Sequence, residues 1–213
     1  MPVDIEFLSF DEVKNGVPAD VDVIINAGDA YTAFSGGKEW LDEKRIRFME
    51  IPGAGWADNP FLIETLCQTP SIAYIDRCYY CYREDTTNES LAFAKKHPLL
   101  LMERWNDMED IIDRLDIEDE SVLFAQTKRC LTYAGITVEA VGMDYPGVED
   151  ALLRSFLRLD PAIALGSRHI SPSAKRLFCR VLGLSDEGIS NAAYIPELIS
   201  EAWHRLITRG PAY

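Results

Sequence analysis

Residues Val21–Trp40 read VDVIINAGDAYTAFSGGKEW, and the architecture expected of the chain turns on them. Val23, Ile24 and Ile25 run on without polar alternation, as in a strand covered on both faces, which is typical of parallel sheets. A loop with Gly28 follows, then Ser35-Gly36-Gly37, and a helical pattern begins near Glu39. Strand, glycine-bearing loop and helix is how open α/β sheets build ligand crevices at the carboxyl ends of their strands. The expected fold is therefore α/β: a mostly parallel open sheet with helices on both faces, of the flavodoxin-like kind.

Outward from this stretch, Val3–Phe10 alternates as a strand and Asp11–Gly16 suits one helical turn. Glu39–Met49 suits a helix, and Pro60–Cys67 a short one capped by Asn59. Ser71–Tyr82 reads as strand or hairpin. A capping box at Thr86–Glu89 starts a helix to Lys96, and Leu99–Met102 suits a strand. Glu103–Glu120 holds nine acids in 18 residues, with Met108, Ile111, Ile112 and Leu115 at helical spacing.

The second half reads as a βαβ unit: strand Val122–Ala125, helix Thr127–Ala134 closed by Gly135, strand Ile136–Val141. A helix Val148–Leu159 and a short strand Ala162–Leu165 follow. Ser171-Pro172 starts a helix to Leu182, stopped by Gly183, and Tyr194–Thr208 is the last helix.

Residues Val3–Trp40 resemble the opening of the middle domain of the 1,3-β-galactosyl-N-acetylhexosamine (lacto-N-biose) phosphorylases. The likeness is carried by VDIEFLSFDEV, DVDVIINAGDAYTAFSGG, Trp40 and Leu41–Lys44, under a fifth of the chain. It implies an amidotransferase-like domain without catalytic machinery, serving assembly, while a separate TIM barrel does the chemistry. After Lys44 it fades: IPGAGWADNP stands where the family pattern has Gly-Gly-Gly-Phe-Ile-Gly. No barrel fits in the remainder.

The chain has 213 residues, 47% of them hydrophobic, and a net charge of −14. That size gives one large or two small domains with a proper core. Residues 1–120 hold 26 acids against 11 bases, and residues 121–213 hold 9 against 10. This asymmetry suggests an acidic part, 1–120, and a βαβ-containing part, 121–213. An acidic chain repels phosphate backbones, so nucleic acid is an unsuitable partner. No apolar run reaches the roughly 20 residues of a membrane helix, and no secretory signal is visible. Five irregularly spaced cysteines fit reduced thiols and a cytoplasmic location.

Two sets of residues suit a ligand. Asn26, Gly28, Asp29, Thr32, Ser35, Gly36 and Gly37 follow the central strand and form a polar, glycine-rich loop, or simply a turn. Ser167, Arg168, His169 and Ser171 lie between an expected strand and a helix N-terminus, with Gln126 and Lys128 after another strand. Free backbone N–H groups and a guanidinium fork suit a carboxylate or phosphate there, although ordinary capping explains the same residues. Cys78 and Cys81 form a CxxC without further zinc ligands at sensible spacing, so incidental thiols are the simpler account. No cofactor or metal is implied. The first expectation is a non-catalytic assembly or accessory domain of carbohydrate metabolism, forming a homo-oligomer. The alternative is a small enzyme or binding protein for an anionic metabolite. A sugar is the other ligand class the resemblance suggests.

Overall fold

The structure is a computed structural model. It describes the backbone at residues 4–8, 23–26, 32–34, 37–50, 56–69, 71–75 and 96–208, and the side chains at 40–50, 56–69, 96–200 and 202–203. The chain divides into two compact units. Unit 1 is Met1–Phe93 with Asp107–Ile117; unit 2 is Ala94–Asn106 with Glu118–Tyr213.

Unit 1 carries four short strands: β1 (Asp4–Leu8), β2 (Val23–Asn26), β3 (Thr32–Phe34) and β4 (Ser71–Ile75). They lie in the order β1-β4-β2-β3. β4 runs parallel to β1 and to β2, and β3 folds back antiparallel on β2, Val23 opposite Phe34. Helices α1 (Gly37–Glu43) and α2 (Asp58–Gln68) separate β3 from β4. Asn59, expected as the cap of α2, is inside it; the cap position is Ala57, which has no side chain able to bond the free N–H groups. Phe48 stacks on Phe61, ring centroids 4.2 Å apart. Glu64 receives Arg114 Nη2 on both carboxylate oxygens at 2.6 Å, and burial followed by the Glu64 charge pushes the Cys67 thiol up.

α3 (Leu100–Arg114) runs through both units; residues 100–106 belong to unit 2. The rest of unit 2 is helical: α4 (Glu120–Val141), α5 (Val148–Phe156), α6 (Pro161–Gly166), α7 (Pro172–Leu182), a 3-10 turn at Ala192–Tyr194, and α8 (Ile195–Thr208). Its core holds Met102, Trp105, Leu152, Phe156 and Phe178, all fully buried. Trp105 Nε1 donates to the Gln126 carbonyl at 3.0 Å, and Arg158 lies over the indole, 5.9 Å from its centroid. Asn106 Nδ2 donates to Ser155 Oγ and to the Met102 carbonyl, both at 2.8 Å.

This overturns the expected open parallel α/β sheet and its amidotransferase-like character. The described residues are predominantly helical, and none of residues 96–208 is in a strand. The strands expected at Val122–Ala125, Ile136–Val141 and Ala162–Leu165 are helix, and the one expected at Leu99–Met102 is a turn at Leu99 running into α3. The supposed βαβ unit is one helix of 22 residues, α4.

The cause in α4 is readable. Asp119 caps it, accepting from the backbone N–H of Ser121 and Val122; the Ser121 hydroxyl first, and then those backbone bonds, hold its carboxyl below the usual range. Its buried stripe is Gln126, Thr127, Cys130, Leu131, Ala134 and Thr137, at helical spacing but mostly small or polar. β-branched Val122, Ile136 and Val138 cost a helix only tenths of a kcal/mol each, which packing overrides. At α6, Asp160 caps through Ala162 N–H with Pro161 at the first position, a helix-start signature.

Candidate functional site

Of the loop expected after the central strand, Asn26 ends β2, Thr32 opens β3 and Gly37 opens α1. Gly28, Asp29, Ser35 and Gly36 lie outside the described residues, as do Cys78, Cys81 and most of the helix expected up to Lys96.

The second set is described in full, and it divides. Gln126 and Lys128 do not follow a strand; both are on α4. Gln126 is 3% exposed, and its Nε2 has no hydrogen-bond partner among the described residues. It belongs to the interior. A buried, unsatisfied amide donor costs about 1–3 kcal/mol. Gln126→Met is therefore expected to leave stability unchanged or raise it by up to about 1 kcal/mol. Urea denaturation checks this; a clear loss would reveal a partner for the amide.

Lys128, His169 and Ser171 do come together, on a cavity of about 760 Å³. Arg168 lines a different, smaller cavity of about 240 Å³ with Lys175. Lys175 Nζ donates to the Leu165 carbonyl at 2.6 Å, and burial lowers its pKa. Ser167 Oγ accepts the His169 backbone N–H at 3.2 Å, a local turn. Ser171 caps α7 by accepting the Ala174 N–H, and its hydroxyl lies 3.0 Å from that of Ser173.

The His169 ring is held from both sides. Arg168 Nε donates to its Nε2 at 3.3 Å, so that nitrogen presents a lone pair. The ring proton is then on Nδ1, donated to Glu197 Oε1 at 2.7 Å. A carboxylate that orients a histidine is a feature of acid–base sites. Here the nitrogen that would act as base already accepts from a guanidinium, so proton transfer at Nε2 first requires Arg168 to move.

Sequence reasoning missed Gly135, Arg176 and Arg180, which line the larger cavity. The signal was present: Arg176 and Arg180 are four residues apart on α7 and share a face. Gly135, a helix terminator by its sequence position, sits inside α4. Among the described residues no group of three or more His, Cys, Asp or Glu could hold a metal ion. No helix among them is long and apolar enough to cross a membrane.

Residues 1–50 match the family of the lacto-N-biose phosphorylase central domain. This is a partial match, confined to the stretch that includes β1, β2, β3 and α1. Among curated proteins, a short segment of the chain is similar to three phosphorylases. A 1,3-beta-galactosyl-N-acetylhexosamine phosphorylase of Bifidobacterium longum is 47% identical over 47 residues, 22% of this chain and 6% of that protein. A 1,3-beta-galactosyl-N-acetylhexosamine phosphorylase of Lachnoclostridium phytofermentans is 54% identical over 46 residues, 21% of this chain and 6% of its own. A D-galactosyl-beta-1->4-L-rhamnose phosphorylase of the same organism is 39% identical over 46 residues, 22% of this chain and 6% of its own. The chain thus spans about 6% of the length of these relatives. No solved structure matches. The cavity around Lys128 and His169 lies outside residues 1–50, the stretch matched by the family.

Proposed function

We propose that the chain is a non-catalytic assembly or accessory module related to the central domain of the galactosyl-N-acetylhexosamine phosphorylases, acting in cytoplasmic carbohydrate metabolism as a homo-oligomer. The observation that carries this reading is the match of residues 1–50 to that central domain. The test is phosphate-dependent cleavage of a β-1,3-galactosyl-N-acetylhexosamine disaccharide by the purified chain. No sugar phosphate above the buffer control is expected. Sugar phosphate formed in proportion to added protein would overturn the non-catalytic reading.

A second reading is a small-metabolite enzyme or binding protein working through residues 126–128 and 166–173. Its support is the shared cavity of Lys128, His169 and Ser171. The burial of Gln126 and the engagement of His169 Nε2 by Arg168 favour binding over catalysis.

A further inference from the structure

We propose that the groove between α4 and α7 binds a small organic anion with an apolar body: a carboxylate, sulfonate or phosphate head on a hydrocarbon or aromatic frame. This deepens the second reading above and is independent of the accessory role of the N-terminal stretch.

Three observations carry it. The first is size and lining. At about 760 Å³ the groove falls in the usual range of small-ligand sites, ~300–1,000 Å³. Leu131 and Ile136 of α4 and Leu177 of α7 give it apolar walls.

The second is charge. Lys128, Arg176 and Arg180 line the groove against one carboxylate, Glu139, in a chain of net charge −14. Arg176 is committed to the Asn191 side chain and the Ile189 carbonyl. Lys128 and Arg180 are exposed and have no side-chain partner among the described residues. Two uncommitted cations over an apolar wall suit an amphipathic anion better than a neutral apolar molecule, which would leave them unanswered, or a bare anion, which would leave the walls wet.

The third is Gly135. Glycine inside a helix costs about 1 kcal/mol relative to alanine. Here the fold gives no reason for it: a Cβ added at Gly135 would meet no atom within 4 Å, and its φ is not positive. What the missing side chain leaves is open space in the groove wall between Leu131 and Glu139. A substitution there fills the groove without straining the backbone.

The experiment is a fluorescence titration of the full chain with 8-anilinonaphthalene-1-sulfonate, with octanoate, octanol and inorganic phosphate as competitors. Octanoate is expected to displace the probe at concentrations at least tenfold below those of octanol or phosphate, and added salt is expected to weaken it. Gly135→Leu, and separately Lys128→Glu with Arg180→Glu, are expected to weaken the probe at least tenfold. Gly135→Leu should at the same time hold or raise the melting temperature, so lost binding cannot be lost folding. Trp203→Ser addresses the exposed apolar face of α8, where Trp203 is 65% exposed, and is expected to leave the titration unchanged. Octanol competing as well as octanoate would overturn the anionic head, and phosphate competing as well would overturn the apolar body. Unchanged binding in Gly135→Leu, or loss in Trp203→Ser alone, would overturn the site itself.

Discussion

Trp105→Ala is expected to destabilise the helical unit by about 3–5 kcal/mol, the usual cost of deleting a buried aromatic. Trp105 is fully buried on α3. Its indole fills the core, donates to the Gln126 carbonyl and underlies the Arg158 guanidinium. Removing it leaves a cavity and strips the cation of its ring face. Trp105→Phe separates these contributions: most of the apolar volume stays, the indole N–H is lost, and the cost should be about 1–2 kcal/mol. Urea denaturation followed by far-ultraviolet circular dichroism gives both numbers. A loss below about 1 kcal/mol for Trp105→Ala would mean that α3 does not depend on this residue for its packing.

The second large effect is at the Phe156–Phe178 pair, which joins α5 to α7. Both rings are fully buried, with centroids 5.2 Å apart and planes inclined at 47°. Each change to alanine is expected to cost about 3–5 kcal/mol. The double variant should cost less than the sum of the two by about 0.5–1.5 kcal/mol, the contribution of the aromatic pair itself. Strict additivity in the denaturation cycle would show that the rings only fill space. Because α7 carries Arg176 and Arg180, its seating on α5 also fixes where the groove's cations stand.

How much of this was legible in the sequence depended on which signals were local. Helix α7 was readable end to end: Ser171 caps, Pro172 occupies the first turn, and Gly183 closes it with φ 66°. Helix α8, expected over Tyr194–Thr208 with Pro196 in its first turn, spans Ile195–Thr208. Helix α4 was not, because its buried stripe, Leu131 apart, is built of Gln126, Thr127, Cys130, Ala134 and Thr137, small or polar residues that an apolar pattern overlooks. Its β-branched Val122, Ile136 and Val138 meanwhile imitate strands, and Gly135 imitates a stop. That error, with the separate reading of Ala162–Leu165 in α6 as a strand, produced the parallel sheet expected for the second half and its crevice between strand ends.

The site fared in the same way. Lys128, His169 and Ser171 were singled out as members of strand-end loops. They meet on a groove for another reason: a helix face on α4 opposes the loop that enters α7. Arg168 was expected to reach into the same space and lines the neighbouring cavity instead, its Nε bound to His169. Gln126 was chosen for polarity alone, and polarity does not tell a ligand contact from an interior residue that leaves its amide without a partner. The likeness of the N-terminal stretch rested on a long, unusual run of residues rather than on a fold argument, and it stood although the fold expectation drawn from it did not.

The assembly role is the central claim, and the mass of the chain in solution tests it most directly. Light scattering on the purified protein at high concentration is expected to give at least twice the 24.0 kDa of one chain. A constant mass of 24.0 kDa across the concentration range would contradict it.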